Sequence, residues 1–118
     1  MLTKEIDISE MMKYARALHC GIRWKIIEIL KEGSKSSDEI FKIINDNRDN
    51  MPQNPKECKG QCNNDIAKDL KKPSLYYHLR ELESVGIIEL DEYKPSKEGR
   101  APEKVWKLNI EKLTINFK

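Results

Sequence analysis

Export signals, long apolar runs and catalytic signatures are missing from this chain, and each absence narrows the field. No apolar stretch approaches the roughly 20 residues needed to cross a bilayer. Charged residues make up 36% of the sequence, so a soluble protein is expected. The first ten residues, MLTKEIDISE, hold three acids against one lysine and lack the basic head and apolar centre of a secretory signal. A cytoplasmic location is the expectation. Cysteine is scarce and odd in number, three in all, which argues against a disulfide framework in a chain without an export signal. Gly-rich phosphate loops, nucleophile elbows and metal-binding His pairs are absent, and the acids are scattered among lysines as surface charges usually are. Nothing here supports catalysis, and no cofactor or metal is called for. At 118 residues the chain has room for one hydrophobic core, so residues 1–118 are read as a single domain.

What is present is helical periodicity followed by alternation. In DISEMMKYARALHC, Ser9 is a candidate cap, with Met12, Ala15 and Leu18 on one face. In GIRWKIIEILKEG, Ile22, Ile26, Ile29 and Leu30 share a face and Gly33 supplies the stop. In SSDEIFKIIND, Ser36 stands three residues before Glu39, a capping-box spacing, with Ile40, Ile43 and Ile44 on the apolar side. The pattern then dissolves: residues 45–64 hold six of the eight asparagines and two prolines, which predicts an irregular insertion at about 46–63. A short helical piece, DIAKDL, follows. In KKPSLYYHLREL, Pro73 suits a first helical turn and Leu75, Leu79 and Leu82 form one stripe. The stripe predicts a helix over about 73–85 that leaves Ser74, Tyr76, Tyr77 and Arg80 facing outward. IIELDEY and KVWKLN each alternate, with KPSKEGRAPE between them, and so read as a hairpin over about 87–109 with a long basic tip. The tail NIEKLTINFK fits a short helix or a strand.

Net charge is only +2, but its distribution is uneven. Residues 68–80 and 94–107 are each locally +3, whereas residues 1–10 are −2. Three helices, a longer helix with a polar N-terminal half, and a basic-tipped hairpin make a mainly α domain with a small β-hairpin wing, a winged helix-turn-helix. That arrangement explains the mixture at the start of the fourth helix, because the major groove admits one α-helix whose N-terminal side chains reach base edges. Phosphate contacts are assigned to Lys71, Lys72, Lys97, Arg100 and Lys104, and base readout to some of Ser74, Tyr76, Tyr77 and Arg80.

The chain resembles the ArsR-like winged helix-turn-helix transcriptional regulators. ALHCGIRWKIIEIL is similar to that family's arginine-containing second helix, SLYYHLRELESVGII to its groove-reading helix and first wing strand, and GRAPEKVWKL to its Gly-Arg wing. The resemblance implies a regulator that reads duplex DNA, with Ser74, Tyr76, Tyr77 and Arg80 on the DNA and Arg100 at the wing. It further implies a homodimer through terminal helices, here residues 8–20 and 109–117. The cysteine pair that metal-sensing members often carry in the helix before the groove-reading helix is not found there in this chain, so a metal-sensor role does not carry over.

Blander readings stand beside these. Cys58 and Cys62, in CKGQC, are spaced by three residues rather than the two usual in zinc sites; a reversible disulfide or thiol switch and idle loop thiols both remain open. His78 adjoins core Leu79 and reads as a structural histidine bonded to backbone. Trp24 and Trp106 read as packed aromatics. The rival function is a protein-interaction module within a transcription assembly, since a fold does not fix a function.

Overall fold

Strand β1 (Leu2–Asp7) opens the chain and pairs in parallel with the last element, β5 (Ile110–Asn116). Both segments are rich in β-branched and aliphatic residues. Their register sets Ile6 beside Ile115 and Lys4 beside Leu113, which puts the apolar side chains on one face against the core. This computed structural model describes residues 2–48, 70–95 and 101–118.

After β1, a single 3-10 turn (Ile8–Glu10) leads into α1 (Met11–Ala17). The N-terminal cap is Asp7 rather than Ser9, with the Asp7 amide donating to Glu10 Oε1 at 3.4 Å. The buried residues of α1 are Tyr14 and Ala17; of the face read from sequence, Met12 and Ala15 are exposed, while Leu18 at the helix end packs against the core. Helix α2 (Gly21–Leu30) buries Ile22, Ile26, Ile29 and Leu30. Strand β2 (Lys35–Ser36) precedes α3 (Ser37–Asp46), whose start is held by the reciprocal Ser36–Glu39 capping box. Helix α4 (Lys72–Ser84) buries Leu75, His78, Leu79 and Leu82. Gly86, at φ 76°, ends it: the Gly86 amide donates to the Glu83 carbonyl and the Ile87 amide to the Leu82 carbonyl, the paired bonds of a Schellman stop.

Strands β3 (Ile88–Lys94) and β4 (Glu103–Leu108) form the antiparallel hairpin, and β2 adds to the free edge of β4 in the order β2-β4-β3. Asp91 is the extra residue of a bulge between Leu90 and Glu92. The core joins Tyr14, the isoleucines of α2 and α3, the leucines of α4, and Ile88 and Trp106 of the sheet.

The mainly α, winged helix-turn-helix class therefore needs correction. The described residues form an α/β domain with four α-helices and two sheets, one a parallel pair and one of three antiparallel strands. The physical reason lies at the two ends. Each terminal strand is only six or seven residues long, and each is completed by a partner more than 100 residues away in sequence. The C-terminal tail, which fits a short helix or a strand by its sequence, is the strand β5. No helix among the described residues is long and apolar enough to cross a membrane.

Candidate nucleic-acid interface

A cleft of about 440 Å³ opens where α4, the start of α3 and strand β4 meet. Its floor includes buried Leu79 and Trp106. One wall is an exposed stripe on α4, Lys72, Tyr76 and Arg80, spaced four residues apart and covering about 12 Å of helix axis. The other walls are Ser37 and Asp38 of α3 and the stretch from Ala101 to Lys104.

The opposite wall is held in place by local hydrogen bonds. Trp106 Nε1 donates to Ser37 Oγ at 3.0 Å, and the Asp38 amide donates to Glu103 Oε1 at 2.7 Å. These bonds fasten β4 to the first turn of α3, so Lys104, between the two anchors, projects from a fixed backbone. Its ammonium lies 5.6 Å from the Trp106 ring centroid, within cation–π range.

The charges of the cleft do not cancel one another evenly. Lys72 Nζ lies 3.6 Å from Asp38 Oδ1 and 5.7 Å from the Phe41 ring centroid. Glu103 is occupied by the α3 amide. Arg80, Lys104 and Lys71 have no ion-pair partner among the described residues. By contrast, Lys94 pairs with Glu39 at 3.2 Å, and Lys107 reaches Glu89 at 3.3 Å and Asp91 at 3.8 Å. Of the three cations described in the 94–107 window, Lys94 and Lys107 are thus neutralised locally and Lys104 is not. Glu39 itself is held below the usual carboxylate range, chiefly by the Ser36 amide, with Lys94 adding to it.

Behind the exposed stripe lies a buried polar group that sequence reading did not find. Arg23 is 2% exposed; its Nε donates to His78 Nδ1 at 3.0 Å and a terminal nitrogen donates to the Arg16 carbonyl at 2.6 Å. The guanidinium carbon lies 5.4 Å from the Tyr77 ring centroid. Because Nδ1 accepts from Arg23, the imidazole carries its proton on Nε2 and is neutral. Burial, with the Arg23 charge beside it, pushes His78 down to about 4. Cys20 Sγ, fully buried, sits 3.8 Å from the same Nδ1. His78 is thus structural, but its partner is the Arg23 side chain rather than backbone. The group ties α4 to α2 and fixes the rotation of α4.

The structure brings together Lys72, Tyr76, Arg80 and Lys104. Lys71 and Ser74 are exposed at the start of α4 but do not line the cleft. Tyr77 is half-buried and turned toward Arg23, which withdraws it from the outward set. Lys97, Arg100, Cys58 and Cys62 lie outside the described residues, as does most of the predicted insertion. Asp38, Glu103 and the Ser37–Trp106 link were missed, and the capping pattern at Ser36 was the one sequence signal close to them. Trp24 is a surface residue whose Nε1 donates to the Leu18 carbonyl. No group of three or more residues able to hold a metal ion occurs among the described residues. No family model matches the chain, and no curated protein matches it.

Proposed function

We propose that the chain is a transcriptional regulator that binds duplex DNA through the cleft face, with the N-terminal half of α4 in the major groove. The observation that carries this reading is the exposed Lys72–Tyr76–Arg80 stripe beside Lys104, with Arg80 and Lys104 free of ion pairs among the described residues. An α-helix with its side chains, about 10–12 Å across, fits the roughly 12 Å width of the major groove. Arg80 is suited to bidentate contact with a guanine edge, and Tyr76, 43% exposed, presents a flat body and a hydroxyl to sugar or thymine methyl. Lys71 and Lys104, which have no ion-pair partner among the described residues, take phosphates, which position the helix without reading sequence, while Lys72 stays with Asp38. The two carboxylates of the cleft do not oppose this, since Asp38 is paired to Lys72 and Glu103 caps α3.

A second reading rests on the apolar floor formed by Leu79 and Trp106, which suits a side chain of a protein partner. Salt separates the two. Fluorescence anisotropy with random-sequence duplex across a salt series is expected to give affinity that falls linearly on logarithmic axes, with a slope near −0.9 per phosphate contacted, about −2 for the two unpaired lysines. Absence of binding at low salt, or binding indifferent to salt, would overturn the DNA reading and leave the protein-docking one.

A further inference from the structure

The β1–β5 ribbon has two outer edges, and among the described residues neither is paired. Its apolar face is covered, because Ile6, Leu113 and Ile115 pack on the core, so the unsatisfied part of the ribbon is its edge amides and carbonyls. Open edges of this kind are templates for another strand, and the two edges differ in what they can accept. A symmetric pair of copies related by a twofold axis perpendicular to the sheet sets one residue opposite itself, with its neighbours paired in mirror order.

On β1 the central choices fail. Centring on Lys4 or Glu5 opposes like charges directly, and centring on Ile6 opposes Glu5 to Asp7. On β5 the choice of Thr114 succeeds. It sets Thr114 against Thr114, Leu113 against Ile115 twice, and Lys112 against Asn116 twice, with no like charges in register. The perpendicular axis keeps both Leu113–Ile115 pairs on the face that already meets the core. Phe117, 74% exposed in one copy, then stands diagonal to Leu113 of the second copy and gains cover.

We propose that a second copy of this chain docks on the β5 edge, antiparallel across Thr114, closing a four-stranded β1-β5-β5-β1 sheet. The arrangement differs from the terminal-helix dimer that the resemblance implies, whose C-terminal part, residues 109–117, falls on a strand here. It does not depend on the DNA reading.

The test is sedimentation equilibrium of the full chain, combined with cysteine cross-linking in a Cys58→Ser, Cys62→Ser background, Cys20 being fully buried. The expected mass is twice 13.8 kDa. Thr114→Cys, opposite itself at the axis, is expected to give a covalent dimer under mild oxidation, whereas Lys112→Cys, offset from its own copy, does not. Should Thr114→Cys disturb the ribbon, an equimolar mixture of Thr114→Glu and Thr114→Lys is expected to dimerise where each alone does so at least tenfold more weakly. A monomeric mass across the concentration range, or equal cross-linking at 112 and 114, would overturn the proposal. Salt-dependent DNA binding by a strict monomer would remove this dimer and leave the DNA reading intact; a dimer without DNA affinity would do the reverse.

Discussion

Arg23 and His78 show how two polar side chains can be buried together at low cost. The guanidinium keeps its charge, because nothing in a protein deprotonates it, so the imidazole must be the neutral acceptor. Protonating His78 would place two cations 3.0 Å apart in the core. The consequence for stability has a definite sign. Unfolded, the imidazole binds its proton near 6.5; folded, it does so only near 4, so the unfolded chain holds more protons between those values. Stability from this group is complete above pH 6.5 and declines as pH falls toward 4, by up to about 3 kcal/mol. Urea denaturation of wild type and His78→Gln at pH 7 and pH 4.5 checks this: the variant, less stable at pH 7, loses markedly less on acidification. Equal losses in both chains would contradict the assignment. In the sequence, His78 beside Leu79 is legible as a core histidine, whereas Arg23 is not legible as its partner. The two are 55 positions apart, and the arginine sits in a helix whose apolar residues account for its burial on their own.

Among the elements, α3 and α4 carry recognisable stop and start signals and were the easiest to read. Ser36 and Glu39 cap α3 as their spacing predicts, and Ser36→Ala is expected to cost about 1 kcal/mol in thermal or urea unfolding. Gly86 has open space where a Cβ would stand, so Gly86→Ala carries only the backbone penalty of a positive φ, about 1 kcal/mol. A cost well above that would mean that neighbouring side chains, not φ, select glycine there. Asn45 makes a different kind of link. Its side chain accepts from the Leu70 amide at 2.8 Å and donates to the Leu70 carbonyl at 3.2 Å, fixing the entry to α4 from the end of α3. Asn45→Ala, which leaves both backbone groups unpartnered, is expected to destabilise by about 1–3 kcal/mol. The terminal strands were the least legible elements. LTKEID and IEKLTIN are short, carry charges at alternate or adjacent positions, and become strands only because each meets the other.

For the molecule as a whole, the sequence discloses much of the exposed stripe on α4 because the three leucines of that helix fix which residues must face outward. Tyr76 and Arg80 follow from that periodicity, which also sets Ser74 and Tyr77 outward; Lys72 joins them because the helix starts one residue earlier than expected. The rest of the cleft does not follow from it, since Lys104 reaches it only through the pairing of β4 with β2 and its anchors on α3. The ion pair of Lys94 with Glu39 of α3, and those of Lys107 with Glu89 and Asp91 across the β3–β4 pair, remove both lysines from the count of free cations, which no tally of charge along the chain reveals. In the proposed function, this assembled face, rather than basic charge in general, holds DNA. The most direct test is duplex affinity at one fixed salt concentration for wild type, an Arg80→Ala, Lys104→Ala double variant, and Lys13→Ala on exposed α1 as a charge control. The account predicts that the double variant loses tenfold or more, about 1.4 kcal/mol at least, while Lys13→Ala stays within twofold of wild type. Equal weakening of both variants, or none in the double variant, would contradict it.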